Sequence, residues 1–195
     1  MTLIGVVACG GKSTRMGNDK SLLEYHGMPQ WSYIYKLMQP FCEEVVVSCS
    51  KSQIGFYPST VKCIADKEEY FNIGPMACLL STHDDYPIHD FLLIGCDYPF
   101  LDLQHVKQLF ERRNENNMAL SFFNRTNNIY EPLLAIYKNE CMELIKNRFQ
   151  NQEYSLRHLL EDISAMKVDP DSEKIIQSVD DKQAFHMALN DLNSH

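Results

Sequence analysis

Short, continuous apolar runs alternate along the chain with longer stretches in which apolar residues recur every three or four positions. The continuous runs are typical of strands buried on both faces of a parallel sheet, whereas the periodic stretches are typical of helices with one buried side. In the first half of the chain, the runs predict strands at 3–8, 44–49, 61–65 and 91–94.

Helix signals follow three of these strands. Apolar residues at helical spacing predict helices at 29–38, 76–82 and 103–113. Pro29 suits the first turn of the first helix, and Asp102 can cap the third. The repeated order of strand, loop and helix predicts a parallel sheet wrapped by helices, and hence an α/β fold.

The second half of the chain is less regular. Two predicted strands, at 119–123 and 131–137, flank the polar loop 124–128 and would add an antiparallel piece to the sheet. The remaining predicted elements are helices at 139–149, 155–160 and 182–192 and two short strands at 166–168 and 175–176. No repeat or linker interrupts the pattern, so we expect a single domain over residues 1–195.

Composition narrows the class of protein. The hydrophobic content of 45% is typical of a globular chain, and the net charge of −8 argues against nucleic acid or an anionic membrane as a partner. No apolar run approaches the ~20 residues that span a bilayer, and the start of the chain lacks the pattern of a secretion signal. The seven cysteines contain no C-x-x-C and lie mostly in apolar runs, as reduced cytosolic thiols do. We therefore expect a cytoplasmic protein.

A glycine-rich segment follows the first predicted strand. Residues 10–20 combine three glycines with two hydroxyl side chains and three cations, among which Arg15 and Lys20 are the strongest candidates for an anionic ligand. Glycines let main-chain N–H groups approach a ligand closely, and only a polyanion would use both these groups and the cations. The segment is not a P-loop, because that motif would require glycine where Val6 stands, and the dinucleotide fingerprint G-x-G-x-x-G is also missing. We interpret it as a triphosphate cradle.

Other polar residues lie near the carboxyl ends of the predicted strands. In open parallel sheets, ligands bind beyond these ends, so residues 8–11, Ser48, Asp66 and Asp97 should converge on one crevice. A carboxylate that ends a buried strand is costly without a partner, and Mg²⁺ is a natural partner for Asp97. A turn-capping role for Asp97, and a solvated acidic turn at Asp66, are the alternatives.

The segment 10–20 resembles the signature of the nucleotidyltransferase superfamily, and most closely that of the molybdenum cofactor guanylyltransferase family. The resemblance continues in Gly74-Pro75-Met76-Ala77, in Cys96-Asp97-Tyr98-Pro99-Phe100-Leu101 and in Glu131-Pro132-Leu133-Leu134-Ala135. It implies a Rossmann-like three-layer α/β/α nucleotidyltransferase fold with a mostly parallel sheet and an antiparallel strand. It also implies catalytic roles for Arg15, Lys20 and Asp97, with Mg²⁺ held by Asp97.

The resemblance further implies a set of nucleotide-binding residues: Ala8, Cys9, Gly10, Gly11, Lys20, Ser48, Asp66, Gly74, Pro75 and Asp97. The Gly10-Gly11 pair is similar to the guanylyl branch of the family, whereas the related cytidylyltransferases carry Ala-Gly there. Cys9 and Ser48 depart from the family, which has alanine and asparagine at these positions.

By resemblance, the reaction transfers GMP from GTP to the phosphate of molybdopterin, with proteins of molybdoenzyme maturation as possible partners. Arg125, Arg157 and Asp180 are the candidate contacts of the acceptor. Residues 178–182 depart from the family's Asn-x-Asn-Thr-Pro, which leaves the acceptor open. A related nucleotidyltransferase that uses CTP or another phosphorylated acceptor, and a nucleotide-binding module without turnover, remain the alternatives.

The expected mechanism needs no general base. An acceptor phosphate has a second pKa near ~6 and is largely ionised at neutral pH. Catalysis then consists of holding the reactants in line and neutralising charge on the phosphate oxygens. In agreement with this, the seven histidines show no spacing that would build a metal or acid–base site.

Overall fold

A computed structural model describes residues 2–10, 19–114 and 116–194, and its framework is a seven-stranded sheet. The strands are β1 Leu3–Ala8, β2 Glu44–Cys49, β3 Cys63–Ala65, β4 Asp90–Gly95, β5 Ala119–Asn124, β6 Ile129–Tyr137 and β7 Met166–Val168. Their order across the sheet is β3-β2-β1-β4-β6-β5-β7. β6 is antiparallel to both of its neighbours, and the other pairings are parallel. The mostly parallel sheet with one antiparallel strand is therefore confirmed.

Helices cover both faces of the sheet. They are α1 Gln30–Met38, α2 Pro75–Asp85, α3 Leu103–Glu111, α4 Cys141–Gln150, α5 Leu156–Asp162 and α6 Lys182–Asn193. Alternate residues of β1 enter two separate apolar clusters, because successive side chains of a strand point to opposite faces. One cluster receives Ile4 and Val6 together with side chains of α2, α4 and α5. The other receives Leu3 and Val7 with side chains of α1 and α3, which completes the three-layer α/β/α architecture.

Local sequence signals set several element ends correctly. Asp102 caps α3 by accepting hydrogen bonds from the main-chain N–H groups of Gln104 and His105 at 2.8 and 3.1 Å. Ser155 caps α5 through the N–H of His158 at 3.2 Å. Pro29 precedes α1 as its N-cap instead of lying inside the first turn.

Two strand predictions need correction. β3 begins at Cys63 and not at residue 61, because the N–H of Val61 is used in a turn with the carbonyl of Pro58. The predicted strand at 175–176 is wrong, since these residues belong to the 3₁₀ turn Glu173–Ile176. β7 already occupies the sheet edge beside β5, and Ile175 and Ile176 bury their side chains as part of a turn.

The structure shows the state of the cysteines and the apolar character of the helices. All seven cysteines are free thiols, and each is buried or half-buried. Among the residues described, no helix is both long and apolar enough to cross a bilayer.

Candidate active site

A cavity of about 1080 Å³ opens at the carboxyl ends of β1 and β4. Its wall contains eight of the residues predicted to form the site: Ala8, Cys9, Gly10, Lys20, Asp66, Gly74, Pro75 and Asp97. The carboxyl ends of parallel strands meet at one edge of a sheet, which explains why residues so distant in sequence converge here. Gly11 and Arg15 lie outside the described residues.

The floor of the cavity is built from the exits of β1 and β4. The two strands are in register, with Ala8 opposite Gly95. The carbonyl of Ala8 accepts a hydrogen bond from the N–H of Cys96 at 3.2 Å, and the Sγ atoms of Cys9 and Cys96 are 3.1 Å apart. These contacts fix the main chain at the point where the glycine-rich segment begins.

Ser48 lies beneath the cavity and does not line it. It is fully buried, and its carbonyl accepts a hydrogen bond from the N–H of Cys9 at 2.9 Å. Its hydroxyl approaches Oδ1 of Asp66 at 3.5 Å. The structure therefore gives Ser48 contacts with Cys9 and Asp66, and it does not bring the side chain to the cavity surface.

Asp97 presents a buried carboxylate oxygen at the end of β4. Its Oδ1 is inaccessible to solvent and accepts no hydrogen bond from the described part of the chain. Burial raises the pKa of Asp97 to about 6, while the nearby Lys20 ammonium acts in the opposite direction. A Cβ on Gly95 would lie 2.5 Å from the same oxygen, so glycine at this position leaves room for the carboxylate. A buried carboxylate oxygen that accepts no hydrogen bond, and beside which no side chain intrudes from Gly95, is suited to bind a cation.

Lys20 lies beside the C-terminal part of the chain. Its Nζ atom is 2.5 Å from Oδ1 of Asp180, and the N–H of Val179 donates to the carbonyl of Asp97 at 2.8 Å. The sequence predicts that Asp180 contacts the acceptor, and in the structure Asp180 is paired with Lys20. The segment before α6 therefore reaches the same end of the sheet as the cavity.

Asp66 lies beside the exit of β1 in the cavity wall. Burial raises its pKa to about 6, and a Cβ on Gly10 would lie 3.5 Å from its Oδ2. Its neighbours Lys67 and Glu68 instead form surface ion pairs with Asp84 and Lys51, both at 2.7 Å. Asp66 is therefore distinct from the solvated acidic turn that follows it.

The start of α2 forms another side of the cavity. Gly74 is the N-cap, with φ of 64° and ψ of −145°, a conformation that is essentially restricted to glycine. Pro75 follows at the first helical position, which proline favours. The partial positive charge of this helix end thus borders the cavity, where it would favour an anionic ligand.

Several cavity residues were not named as site residues from the sequence, although some of them belong to the segments that carry the family resemblance. They are Asp19, Ser50, Ser52, Gln53, Phe56, Phe71, Asn72, Ala77, Cys78, Cys96 and Leu133. Of the ten phenylalanines, only Phe56 and Phe71 are exposed, at 50% and 69%, and both line this cavity. The sequence predicts only a loop or short turn at residues 51–58. The exposed ring of Phe56 in the cavity wall is apparent only from the tertiary structure.

A second cavity, of about 570 Å³, contains Arg157 and the buried Glu131. Burial raises the pKa of Glu131, whereas a hydrogen bond from Tyr98 at 3.2 Å and the charge of Arg157 oppose this shift. Arg125 lines neither of these cavities and forms a two-bond ion pair with Asp169, at 2.6 and 2.8 Å, on the surface. Of the three predicted acceptor contacts, only Arg157 lies in the second cavity.

Within the described ranges, no three metal-ligating side chains lie close enough together to form a metal site on their own. Asp97 would then act as a single protein ligand beside phosphate oxygens and waters, an arrangement that Mg²⁺ commonly adopts.

The three-layer fold places a cavity at its strand ends, and comparison with known proteins identifies the class of protein as a nucleotidyltransferase. Residues 5–168 match the family model of the MobA-like NTP transferase domain. The chain belongs to this family.

The similar proteins carry related names. The chain is 33% identical over 143 residues to the molybdenum cofactor biosynthesis bifunctional protein of Synechocystis, covering 73% of this chain and 41% of that protein. It is 25% identical to a molybdenum cofactor guanylyltransferase of Pseudomonas fluorescens, covering 86% of this chain and 84% of the relative. The crystal structure of molybdopterin-guanine dinucleotide biosynthesis protein A from Archaeoglobus fulgidus has a similar fold, with a TM-score of 0.79 at 16% identity over 98% of this chain and 100% of that chain.

Proposed function

We propose that this nucleotidyltransferase transfers GMP from GTP to the phosphate of molybdopterin and releases pyrophosphate. The observation that carries the proposal is the single cavity that contains Gly10, Lys20, Asp66 and Asp97 beside the N-terminus of α2. The name of the guanylyltransferase relative from Pseudomonas fluorescens favours guanine and the molybdenum cofactor. We further propose that residues 1–195 act as one nucleotidyltransferase domain. Its cytoplasmic location remains a prediction.

A divalent cation, Mg²⁺ in the proposal, fits the charge of the cavity. Its described lining contains the carboxylates of Asp19, Asp66 and Asp97 and one ammonium, that of Lys20. The three carboxylates would repel a triphosphate, and an accompanying cation would offset this repulsion. When bound, the ion supplies positive charge at the phosphate oxygens, and Asp97 is the residue that would hold it, through its unsatisfied Oδ1.

The protein groups would then act by position and charge. Lys20 would neutralise charge that develops on the leaving pyrophosphate, with Arg15 as its expected second cation. The main chain at Ala8, Cys9 and Gly10 would approach the phosphates closely because Gly10 has no side chain. The acceptor phosphate is already ionised, so the site needs no histidine or glutamate as a general base.

The nucleoside would occupy the other end of the cavity. Asp66 would accept hydrogen bonds from sugar hydroxyls or base N–H groups, and Phe56 and Phe71 offer exposed rings to a planar base. Stacking of a base on an aromatic side chain contributes about 1–3 kcal/mol. Such a contact would explain why two large apolar side chains remain exposed at this rim.

The acceptor would approach from the side of the second cavity. Arg157 lies there and would pair with an anionic group of molybdopterin, and Asp180 is paired with Lys20 of the nucleotide cavity. Arg125 uses Nε and Nη2 in its ion pair with Asp169, so a contact with the acceptor would come from Nη1. Proteins that deliver molybdopterin or receive the product are the proposed macromolecular partners.

Two measurements test the proposal. Thermal shift with Mg²⁺ and each of GTP, CTP, ATP and UTP should show the largest stabilisation with GTP. Pyrophosphate release should then require both GTP and molybdopterin. A larger shift with CTP would point to a cytidylyltransferase. Binding of GTP without pyrophosphate release in the presence of molybdopterin would contradict the proposed reaction and leave another phosphorylated acceptor or a nucleotide-binding module.

A further inference from the structure

Gln53 connects two segments of the cavity wall through one buried amide. It lies in the 3₁₀ turn Lys51–Phe56 and is 7% exposed. Its Nε2 donates to Oδ2 of Asp19 at 2.5 Å and to the carbonyl of Cys9 at 3.1 Å. Its Oε1 accepts hydrogen bonds from the N–H and the hydroxyl of Ser50, both at 2.8 Å. Both donors of the amide are therefore used within the protein.

Asp19 transmits this contact to Lys20. The Oδ1 atom of Asp19 accepts hydrogen bonds from the N–H and the hydroxyl of Ser21, at 2.9 and 2.7 Å, and so caps the 3₁₀ turn Lys20–Leu22. Lys20 is the first residue of that turn. The position of its ammonium thus depends on a cap whose second oxygen is held by Gln53.

The other donor of Gln53 acts at the exit of β1. Cys9 is fixed to β2 by its N–H, which donates to the carbonyl of Ser48, and its own carbonyl is taken by Gln53. Cys9 directly precedes the glycine-rich segment 10–20, and Asp19 lies near the end of that segment. One amide consequently connects the strand end that precedes this segment with the turn that begins at its last residue, Lys20.

We propose that Gln53 is a positioning residue for nucleotidyl transfer: it sets the place of Lys20 relative to the main chain at Gly10. The inference rests on the proposed function, in which both groups contact the same triphosphate. Glutamine is required because one side chain must accept two hydrogen bonds from Ser50 and donate two to other acceptors. Glutamate lacks the donors, and an apolar residue of similar length lacks both functions.

Three variants test the role of Gln53. Gln53→Met keeps the length of the side chain and removes its hydrogen bonds, so kcat at saturating GTP and Mg²⁺ should fall about 10- to 100-fold, as expected for a misplaced catalytic group. Gln53→Glu adds a carboxylate against Asp19 and should lower kcat at least as far.

The double variant Asp19→Asn with Gln53→Glu reverses the donor and the acceptor. The new amide at position 19 can donate to the new carboxylate and still accept from Ser21. Its kcat should exceed that of Gln53→Glu alone at least tenfold, although the carbonyl of Cys9 still lacks its donor. A role in folding alone would make kcat follow the unfolding temperature across the series and would give the double variant no such advantage.

Binding of Mg²⁺-tripolyphosphate, measured by calorimetry, provides a readout without turnover. Its affinity should fall in the same rank order, with Gln53→Glu weakest and the double variant closest to the wild type. Ile145→Val is the matched control, because Ile145 is fully buried in α4, outside the cavity wall, and its truncation should lower stability while kcat is kept.

The positioning role would be refuted if Gln53→Met kept the wild-type kcat and the wild-type affinity for tripolyphosphate. It would also be refuted if the kcat of the double variant did not exceed that of Gln53→Glu. If the wild-type protein binds tripolyphosphate but releases no pyrophosphate from GTP, the proposed function is wrong. The role of Gln53 in positioning Lys20 would still be tested by the tripolyphosphate affinities of the variants. Absence of any tripolyphosphate binding would refute both.

Discussion

Asp66 should destabilise the unliganded protein at neutral pH, and Asp66→Asn tests this directly. Burial raises the pKa of Asp66 from 3.8 to about 6. Each pH unit of such a difference corresponds to about 1.4 kcal/mol, so ionising Asp66 costs the folded state at most about 3 kcal/mol. The carboxylate is partly open to solvent in the cavity, and we therefore expect about 1–2 kcal/mol.

The sign of the pH dependence follows from the raised pKa. The folded state binds the proton more tightly than the unfolded chain, so stability falls as the pH rises from about 4 to about 6 and the loss is complete above that range. Asp66→Asn cannot ionise and escapes this loss. Its stability gain should be small near pH 4, grow up to about pH 6 and stay constant at higher pH.

Scanning calorimetry without nucleotide at pH 4.5, 5.5 and 7.5 measures the effect. A gain of 1–2 kcal/mol should raise Tm by about 2–8 °C at pH 7.5, since each kcal/mol shifts Tm by roughly 2–4 °C in a chain of this size. Glu68→Gln is the matched control. The ion pair with Lys51 lowers the pKa of Glu68, so removing the charge of Glu68 should give no gain in stability. A gain that is absent at pH 7.5, or that does not change with pH, would refute the burial cost assigned to Asp66.

Three further predictions concern the cavity. Asp97→Asn should reduce the rate of pyrophosphate release at saturating GTP and Mg²⁺ by about 10²–10³-fold. A variant that kept most of its turnover would exclude the metal role of Asp97. Phe71→Ala should weaken GTP binding about 5- to 150-fold in calorimetry, because about 1–3 kcal/mol of stacking is lost. Phe71→Tyr should bind GTP about as tightly as the wild type, and Phe71→Ala should keep the wild-type affinity for tripolyphosphate. Equal weakening of tripolyphosphate binding in Phe71→Ala would contradict a base contact. Gly95→Ala places a methyl group 2.5 Å from Oδ1 of Asp97, so half-maximal turnover should need a higher Mg²⁺ concentration. An unchanged Mg²⁺ dependence of turnover would show that displacing this carboxylate does not affect metal binding.

The core of the fold was predictable from local pattern. β1 and β2 have the predicted bounds because their runs are continuously apolar and buried on both faces. Asp102 and Ser155 cap helices as predicted, since capping is decided within a few residues. Short segments are poorly determined by local pattern: the apolar pair at 175–176 is typical of a strand, but it belongs to a turn, and β7 forms the sheet edge beside β5.

The sequence alone determined which residues end the parallel strands, and therefore that Gly10, Asp66 and Asp97 should meet. Tertiary structure decided what surrounds them. The pairing of Lys20 with Asp180 spans 160 positions of the chain, and Gln53 bonds to residues 34 and 44 positions away. Local periodicity reports which face of an element is apolar, but contacts between distant polar side chains depend on how the layers pack, and no local pattern records that packing.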